Sequence, residues 1–430
     1  MLLEFSVANF RSIKDRQTLS LLASNASELR STHVYDPGEK LPPVVRSAVV
    51  YGANAAGKSN LLLAIQFAQA IVLGSASQSQ AGQRIGVVPF AFQQGGIEKP
   101  TEFEFMFAEA GVRYHYGFAL TQERVVREWL VAYPKGKPQR WFEREFDADK
   151  GNYSWTLGTN FRGDKSQRNT WRELTRENAL FLSTAVQLNN EQLHPVFGWF
   201  QNKLGIVTMQ NNMNVALSLE LLNDPQKRDQ LNQFIRAADV GIESLELRQE
   251  QPLPGTIINI NIGGPQILPG AVPSAQLPKF GRVIAHHKHT DSDLVAQLDL
   301  FADESEGTRK IFQYAGGWIK ALQDGVTLLV DELDRSLHPL MTRFLVELFH
   351  DPKRNAQGAQ LVFTTHDTTL LDTSLFRRDQ IWFVEKDKES ATRLYPLLEY
   401  SPRKDEALER GYLKGRYGAI PFLSPVGFNG

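Results

Sequence analysis

The octapeptide Gly52-Ala-Asn-Ala-Ala-Gly57-Lys58-Ser59 constrains this chain more than any other stretch. Ahead of it runs Ser47-Ala-Val-Val-Tyr51, short and apolar, the pattern of a strand buried on both faces of a parallel sheet. Behind it, Asn60 to Val72 carries a helical pattern without Gly or Pro. Strand, loop and helix in that order fit G-x-x-x-x-G-K-[ST], in which backbone N–H groups wrap a phosphate at a helix N-terminus. On this reading Gly52, Asn54, Gly57, Lys58, Ser59 and Asn60 line a nucleotide site. Lys58 reaches the β- and γ-phosphates, and the Ser59 hydroxyl takes a place on Mg²⁺.

A second strand, Thr327-Leu-Leu-Val330, ends in Asp331-Glu332. Ligands of open α/β sheets bind at the carboxyl ends of strands. Asp331 is therefore expected to hold Mg²⁺ together with Ser59, and Glu332 to polarise an attacking water as general base. ATP and Mg²⁺ are the implied ligands. A helix with amphipathic spacing (Ile311, Phe312, Ala315, Trp318, Ile319, Leu322) precedes that strand. It opens on Ser305-Glu-Gly307-Thr308, with Ser305 suited to the N-cap and Gly307 to close approach of a phosphate.

Bulk properties narrow the class. The chain has 430 residues, 42% hydrophobic and 22% charged, with formal net charge −1. No global field draws it to nucleic acid or to acidic membranes. Cysteine is absent, which excludes thiolate chemistry, cysteine-held zinc and disulfides. The opening MLLEFSVANFRSIKD is not a signal peptide, and no run approaches the ~20 apolar residues that span a bilayer. The cytosol is the expected compartment, and no membrane partner is expected.

Along the chain, Leu3, Phe5 and Val7 alternate as in a half-buried strand, and Gln17 to Leu22 is expected to pair with it. Thr101–Phe107 and Val112–Leu120 alternate around the turn at Glu109-Ala-Gly111, a hairpin extended by Glu128–Tyr133 and Arg140–Phe146. Asn152 to Ala238 reads as mostly helical, Gln251 to Lys279 as a Pro/Gly-rich loop, and Val283 to Leu300 as strand. From Ser305, helices alternate with strands at Val326–Val330, Gln360–Thr365 and Gln380–Glu385, the order of an α/β sheet. The expected divisions are 1–150 with the phosphate loop and antiparallel sheet, 151–280 as an inserted, mostly helical lobe, and 281–430 with the acidic strand.

Ser305-Glu-Gly307-Thr308 resembles the signature loop of ABC-type ATPases, in the form seen in structural-maintenance-of-chromosomes, Rad50 and OLD relatives. Leu333-Asp334-Arg-Ser-Leu-His338-Pro339 resembles their D-loop. Thr364-Thr365-His366-Asp367 resembles their switch-histidine loop, whose His contacts the γ-phosphate. Asn9-Phe10-Arg11-Ser12 is similar to the opening strand and turn, and Gln93 and Gln94 are candidates for the Q-loop glutamine. Together with Gly411-Tyr-Leu-Lys-Gly-Arg416-Tyr417-Gly418-Ala-Ile-Pro421-Phe422, these motifs resemble the AAA15/AAA21 group, including RloA-like and PARIS-like ATPases of phage-defence and abortive-infection modules.

The resemblance implies an α/β P-loop ABC-type ATPase head with an inserted antiparallel sheet and a helical lobe. It implies hydrolysis of ATP by Glu332 with His366, and a head-to-head dimer or larger homo-oligomer. In that dimer Ser305, Gly307 and Thr308 complete the partner's site in trans, and Asp334 lies at the interface. An operon-encoded toxin or nuclease is the implied effector. The 64 residues after His366 are too few for the nuclease domain of full-length OLD proteins, so no nuclease activity of its own is expected. The alternative is a repair or recombination ATPase acting on DNA directly, for which Phe161–Arg176, with Arg162, Lys165, Arg168, Arg172 and Arg176, is the candidate surface. A transporter subunit fits less well without a membrane segment. The group His286, His287 and His289 reads as non-metal, because neighbours on a strand point to opposite faces.

Overall fold

The structure is a computed structural model that describes residues 1–38, 40–93, 95–207, 215–238, 240–249, 281–288, 295–401, 403 and 406–421. The expected Pro/Gly-rich loop from Gln251, His289, Gln94 and Phe422 lie outside the described residues. Contacts divide the chain into two compact units, Met1–Ile206 with Leu322–Leu333 and Leu345–Gly430, and Val207–Ala321 with Asp334–Phe344.

Two large sheets organise the first unit, beside the short ribbon Val34–Tyr35 with Val44–Val45. One runs Leu204–Val207, Thr327–Val330, Gln360–Thr364, Ser47–Gly52, Ile381–Lys386, Thr392–Pro396. Its four middle strands pair in parallel, and Thr392–Pro396 adds an antiparallel edge. Every residue of Ser47–Gly52, Thr327–Val330 and Gln360–Thr364 is buried, which is why these strands read as unbroken apolar runs rather than alternations. The phosphate-loop strand lies between Gln360–Thr364 and Ile381–Lys386 although their sequences are some 300 residues away, so its neighbours are set by the crossovers.

The other sheet is antiparallel, in the order Asn152–Leu157, Gln139–Asp147, Val125–Tyr133, Val112–Leu120, Thr101–Glu109, Leu2–Ala8, Gln17–Ser20. The expected hairpin is present, with Phe105 opposite Tyr116. Asn152–Leu157 is its seventh strand and not the start of a helical stretch; Tyr153, Trp155 and Leu157 keep the two-residue period of the strands before it. Phe103, Phe105 and Phe107 are fully buried on one face. There Phe107 stacks on Trp199 with ring centroids 4.2 Å apart, and Phe105 meets Phe200 edge-on at 5.0 Å, geometries that aromatic quadrupoles favour. Trp199 and Phe200 come from the helix His194–Asn202. The helix Lys58–Gly74 turns Leu61, Leu62, Ile65, Ala68 and Val72 into the same core.

One ion pair is sealed into that core. Glu128 and Arg144, on neighbouring strands, are both 0% exposed. Glu128 accepts from Arg144 Nε (3.1 Å), Tyr116 Oη (3.0 Å), and the backbone N–H groups of Phe181 (2.6 Å) and Leu182 (2.9 Å). The helix Phe181–Gln187 has Leu180 at its N-cap, a residue with no capping side chain, so a strand carboxylate satisfies the donors that Leu180 leaves open. Arg144 also donates to the Ala179 carbonyl. Removing one member strands the other charge in the core. Glu128→Leu is therefore expected to lower unfolding stability by about 3–5 kcal/mol, read as a lower urea midpoint. Glu128→Leu with Arg144→Leu is expected to cost less than Glu128→Leu alone.

A second buried polar contact sits beneath the phosphate-loop strand. His33 and His350 stack with centroids 3.8 Å apart, and His350 Nε2 lies 2.8 Å from the hydroxyl of Ser47, the first residue of that strand. Burial pushes both imidazoles below their ordinary 6.5, His350 furthest, helped by His33 beside it and by Arg46. The unfolded chain takes up protons below about pH 6.5 that the folded chain refuses, so stability falls as pH drops through that value. Each such group costs up to about 1.4 kcal/mol per pH unit within its window. His350→Gln is expected to flatten the fall in thermal midpoint between about pH 6.5 and 5.

The second unit contains helices Val215–Asn223 and Arg228–Ala237, an antiparallel sheet Ser244–Gln249, Gly281–Lys288, Val295–Asp299, and most of the helix Glu306–Asp324. Gly316 allows two of these helices to touch. A Cβ there would lie 2.5 Å from the backbone N of Ser218, whose hydroxyl instead bridges Phe312 O (2.5 Å) and Gly316 N (2.9 Å).

Candidate functional site

Three parallel strands end side by side, and the residues after each one meet in a cleft of about 290 Å³ lined by residues 53–60, Glu332 and His366. Asn54, Gly57, Lys58, Ser59 and Asn60 of the expected site are all in the lining; Gly52 is the last strand residue before it. Gly57 caps the helix at φ +113°, a backbone region closed to most side chains. A Cβ on Gly52 would meet the Val384 carbonyl at 2.3 Å, so the loop also needs glycine there for close packing on the next strand. Lys58 is buried, and its ammonium donates to the carbonyls of Gly52 (2.6 Å) and Ala53 (3.2 Å).

Thr364 organises the acidic turn beside the loop. Its hydroxyl donates to Asp331 Oδ1 (2.6 Å) and accepts from the Glu332 N–H (2.8 Å). Glu332 has φ +52°, a left-handed conformation that costs a non-glycine residue about 1–3 kcal/mol and that only surrounding contacts can hold. Asp331 is buried and Glu332 half-buried, so the first carboxylate is tied to the sheet while the second faces the cleft.

His366 is exposed at the next strand end. The loop after it is pinned on two sides: Tyr51 Oη donates to the Asp367 carbonyl (3.1 Å), and Thr368 Oγ1 to Glu409 (3.0 Å). Tyr412 packs on Tyr51 at 5.7 Å, so part of the tail from Gly411 lies against the residue that precedes the phosphate loop.

The signature-like residues belong to the second unit. Ser305 does cap the helix, its hydroxyl accepting from the Thr308 N–H (3.1 Å) and lying 2.8 Å from the Thr308 hydroxyl. Gly307 is close to Ser336, whose carbonyl would be 3.1 Å from a Cβ, and Ser336 Oγ donates to Glu306 (2.7 Å). Lys310 reaches the Arg335 carbonyl at 2.6 Å. The residues after Asp334 thus pack on the first turn of the helix Glu306–Asp324, a contact no motif reading foretold. Ser305, Glu306, Arg335, Ser336 and His338 are exposed together.

A family described as "AAA domain, putative AbiEii toxin, Type IV TA system" matches residues 47–372, a span that holds the whole cleft. The chain belongs to that family. The broad class expected from the motifs, a P-loop ATPase domain with nucleotide as its ligand, is the class of this AAA-domain family. Solved structures that match include the SMC head domain from Thermotoga maritima, 13% identical, covering 92% of this chain and 98% of that one with a TM-score of 0.40. No curated protein matches the chain.

Other features of the sequence fall outside the cleft. Arg168 donates to the Phe161 carbonyl, Arg176 to Ser75 and Ala76, and Arg172 lies over Trp155, so these three arginines hold the fold around the short helix Lys165–Glu173. His286 and His287 pair with Glu246 (3.1 Å) and Glu304 (2.5 Å), respectively. Among the described residues no His, Asp and Glu group with metal-ligand geometry occurs, and no helix is long and apolar enough to cross a membrane.

Thr364→Val keeps the β-branched shape but removes both bonds of the acidic turn. It is expected to cost about 1–3 kcal/mol of stability, measured as the shift in denaturant midpoint, while Thr364→Ser stays near wild type.

Proposed function

We propose that this AAA-domain protein binds Mg-ATP in the strand-end cleft and hydrolyses it, and that two copies complete each site. The observation that carries the reading is the convergence of phosphate loop, acidic turn and His366 in one cleft from three separate stretches of chain. Lys58 and the loop N–H groups bind the β- and γ-phosphates, and Asn54 and Asn60 flank them. The oxygen donors Ser59 and Asp331 suit Mg²⁺, a hard cation that prefers oxygen ligands, and neither is a soft or imidazole ligand. Bound there, the ion would supply charge neutralisation for the transferring phosphoryl group.

Glu332 takes the proton from the attacking water, and His366 donates to the γ-phosphate oxygens. Ser305, Gly307 and Thr308 of a second copy close the site from the far side, with Asp334 at the interface; their exposed helix N-terminus is suited to an anion. Hydrolysis then releases the interface. The toxin–antitoxin wording of the family supports the further reading that the ATP state controls a toxin or nuclease effector, in a defence module of the RloA or PARIS kind acting in the cytosol.

The test is the solution mass and ATPase rate of Glu332→Gln with and without Mg-ATP. The expected result is a dimer formed only with Mg-ATP and hydrolysis reduced by about 10²–10⁴-fold. A protein that stays monomeric and hydrolyses ATP at the wild-type rate would sink both the split site and the role of Glu332.

A further inference from the structure

Thr392 lies in the edge strand Thr392–Pro396, far from every recognised motif, and is 4% exposed. Its hydroxyl touches the phosphate loop. Thr392 Oγ1 is 2.9 Å from the Ala56 carbonyl, 2.7 Å from Ser12 Oγ and 3.2 Å from Lys386 Nζ, while Asn60 Nδ2 is 2.7 Å from Ser12 Oγ. The backbone adds a bond from Thr392 N to Ser12 O at 2.7 Å.

The proton directions in this network admit one solution. The Lys386 ammonium and the Asn60 amide nitrogen can only donate, and the Ala56 carbonyl can only accept. The single Thr392 proton therefore goes to Ala56, and the Ser12 proton goes to Thr392. Each hydroxyl donates once, and Thr392 accepts twice.

That arrangement fixes a peptide plane. In a trans peptide the C=O and the following N–H point in opposite directions. With the Ala56 carbonyl held against Thr392, the Gly57 N–H is aimed away from the edge strand. Gly57 accepts this orientation at φ +113°, and a Cβ there would lie 2.2 Å from Thr392 Oγ1, so the hydroxyl occupies the space that a side chain would need. Rotation of the Ala56–Gly57 peptide would break the bond to Thr392 and turn a loop donor out of its place.

We propose that Thr392 is a positioning residue for phosphate binding: its hydroxyl, held by Ser12 and Asn60, sets the Ala56–Gly57 peptide plane and thereby the N–H array of the loop. The inference rests on the reading of the cleft as a nucleotide site. It places a determinant of affinity outside residues 47–372, the span that the family match covers.

The experiment is isothermal titration of the full chain with Mg-ADP, for wild type, Thr392→Val, Thr392→Ser, Ser12→Ala and Lys58→Ala. Thr392→Val is nearly isosteric and keeps the strand preference, so its fold is checked by its nucleotide-free thermal midpoint. The expected result is affinity about 10-fold weaker for Thr392→Val, about 3-fold weaker for Ser12→Ala, and recovery to within about 2-fold in Thr392→Ser, which restores the donor. A lowered midpoint with unchanged affinity would mark Thr392 as merely structural and overturn the proposal. Wild-type affinity in both Thr392→Val and Ser12→Ala, with binding lost in Lys58→Ala, would also overturn it while leaving the nucleotide site standing. Should Thr392→Val fail to fold, Ser12→Ala decides alone, and unchanged affinity there rejects the network. No binding of Mg-ADP by wild type would reject the nucleotide reading, and the inference with it.

Discussion

The site depends on the register of three parallel strands. Val330 lies opposite Phe363, and Thr364 opposite Val50, so Gln360–Thr364 runs one residue past the end of Thr327–Val330, and Ser47–Gly52 two residues past Thr364. A slip of one residue in any pair would turn buried side chains to the opposite face of a sheet that is covered on both. It would also move Thr364 away from Asp331 and Glu332, which it reaches only because its strand runs one residue position beyond the end of the acidic strand's pairing. Packing of apolar residues thus fixes the placement of polar groups that contribute little to the core themselves.

The antiparallel sheet supports the same cleft through the helix Phe181–Gln187. Glu128, anchored by Arg144, caps that helix. Within it, Ser183 donates to the carbonyl of Val72 (2.5 Å) near the C-terminal end of the phosphate-loop helix, and Ser75 bonds Ser183 and Leu180 in turn. A buried ion pair costs desolvation, so it is weak grounds for stability by itself. Here the carboxylate has four donors, and what it secures is the axis of the helix on which Lys58 and Ser59 sit. The paired buried side chains Arg377 and Asp379 do comparable work on the other side: Arg377 donates to the carbonyls of Ala26 (3.0 Å) and Glu28 (2.5 Å), tying a loop to the parallel sheet.

What was legible in the sequence was whatever is encoded in neighbouring residues. The phosphate loop, the acidic strand end and the Thr364–Asp367 stretch each combine a local backbone pattern with a few chemical groups, and all three lie where those patterns put them. The hairpin at Thr101–Leu120 was legible from its alternation. Asn152–Leu157 was not, because its alternating aromatics sit between polar residues at the foot of a helical stretch, and only pairing with Gln139–Asp147 makes it a strand. Glu128 reads as an ordinary charged residue opening a strand; its burial comes from Arg144 and from a helix 53 residues further on. The contact between Thr392 and Ser12, 380 residues apart, was not legible, since a hydrogen bond between distant segments leaves no period in either one, even though Ser12 closes the Asn9–Ser12 stretch.

Glu332 occupies a strained backbone position. The turn after Val330 needs a residue at φ +52°, and glycine would adopt it without cost. The backbone bond to Thr364 uses only the N–H of residue 332, so glycine would preserve that as well. The main chain at this position thus does not itself ask for a side chain, and the left-handed conformation costs glutamate about 1–3 kcal/mol relative to glycine. The left-handed turn has a geometric effect: it sends two consecutive side chains to different places, Asp331 back onto the sheet and Glu332 into the cleft. An extended backbone would also separate them, but it would carry the chain past the strand end and away from Thr364. The left-handed turn thus places a second carboxylate beside the phosphate loop, at a backbone cost that an extended or glycine position would avoid.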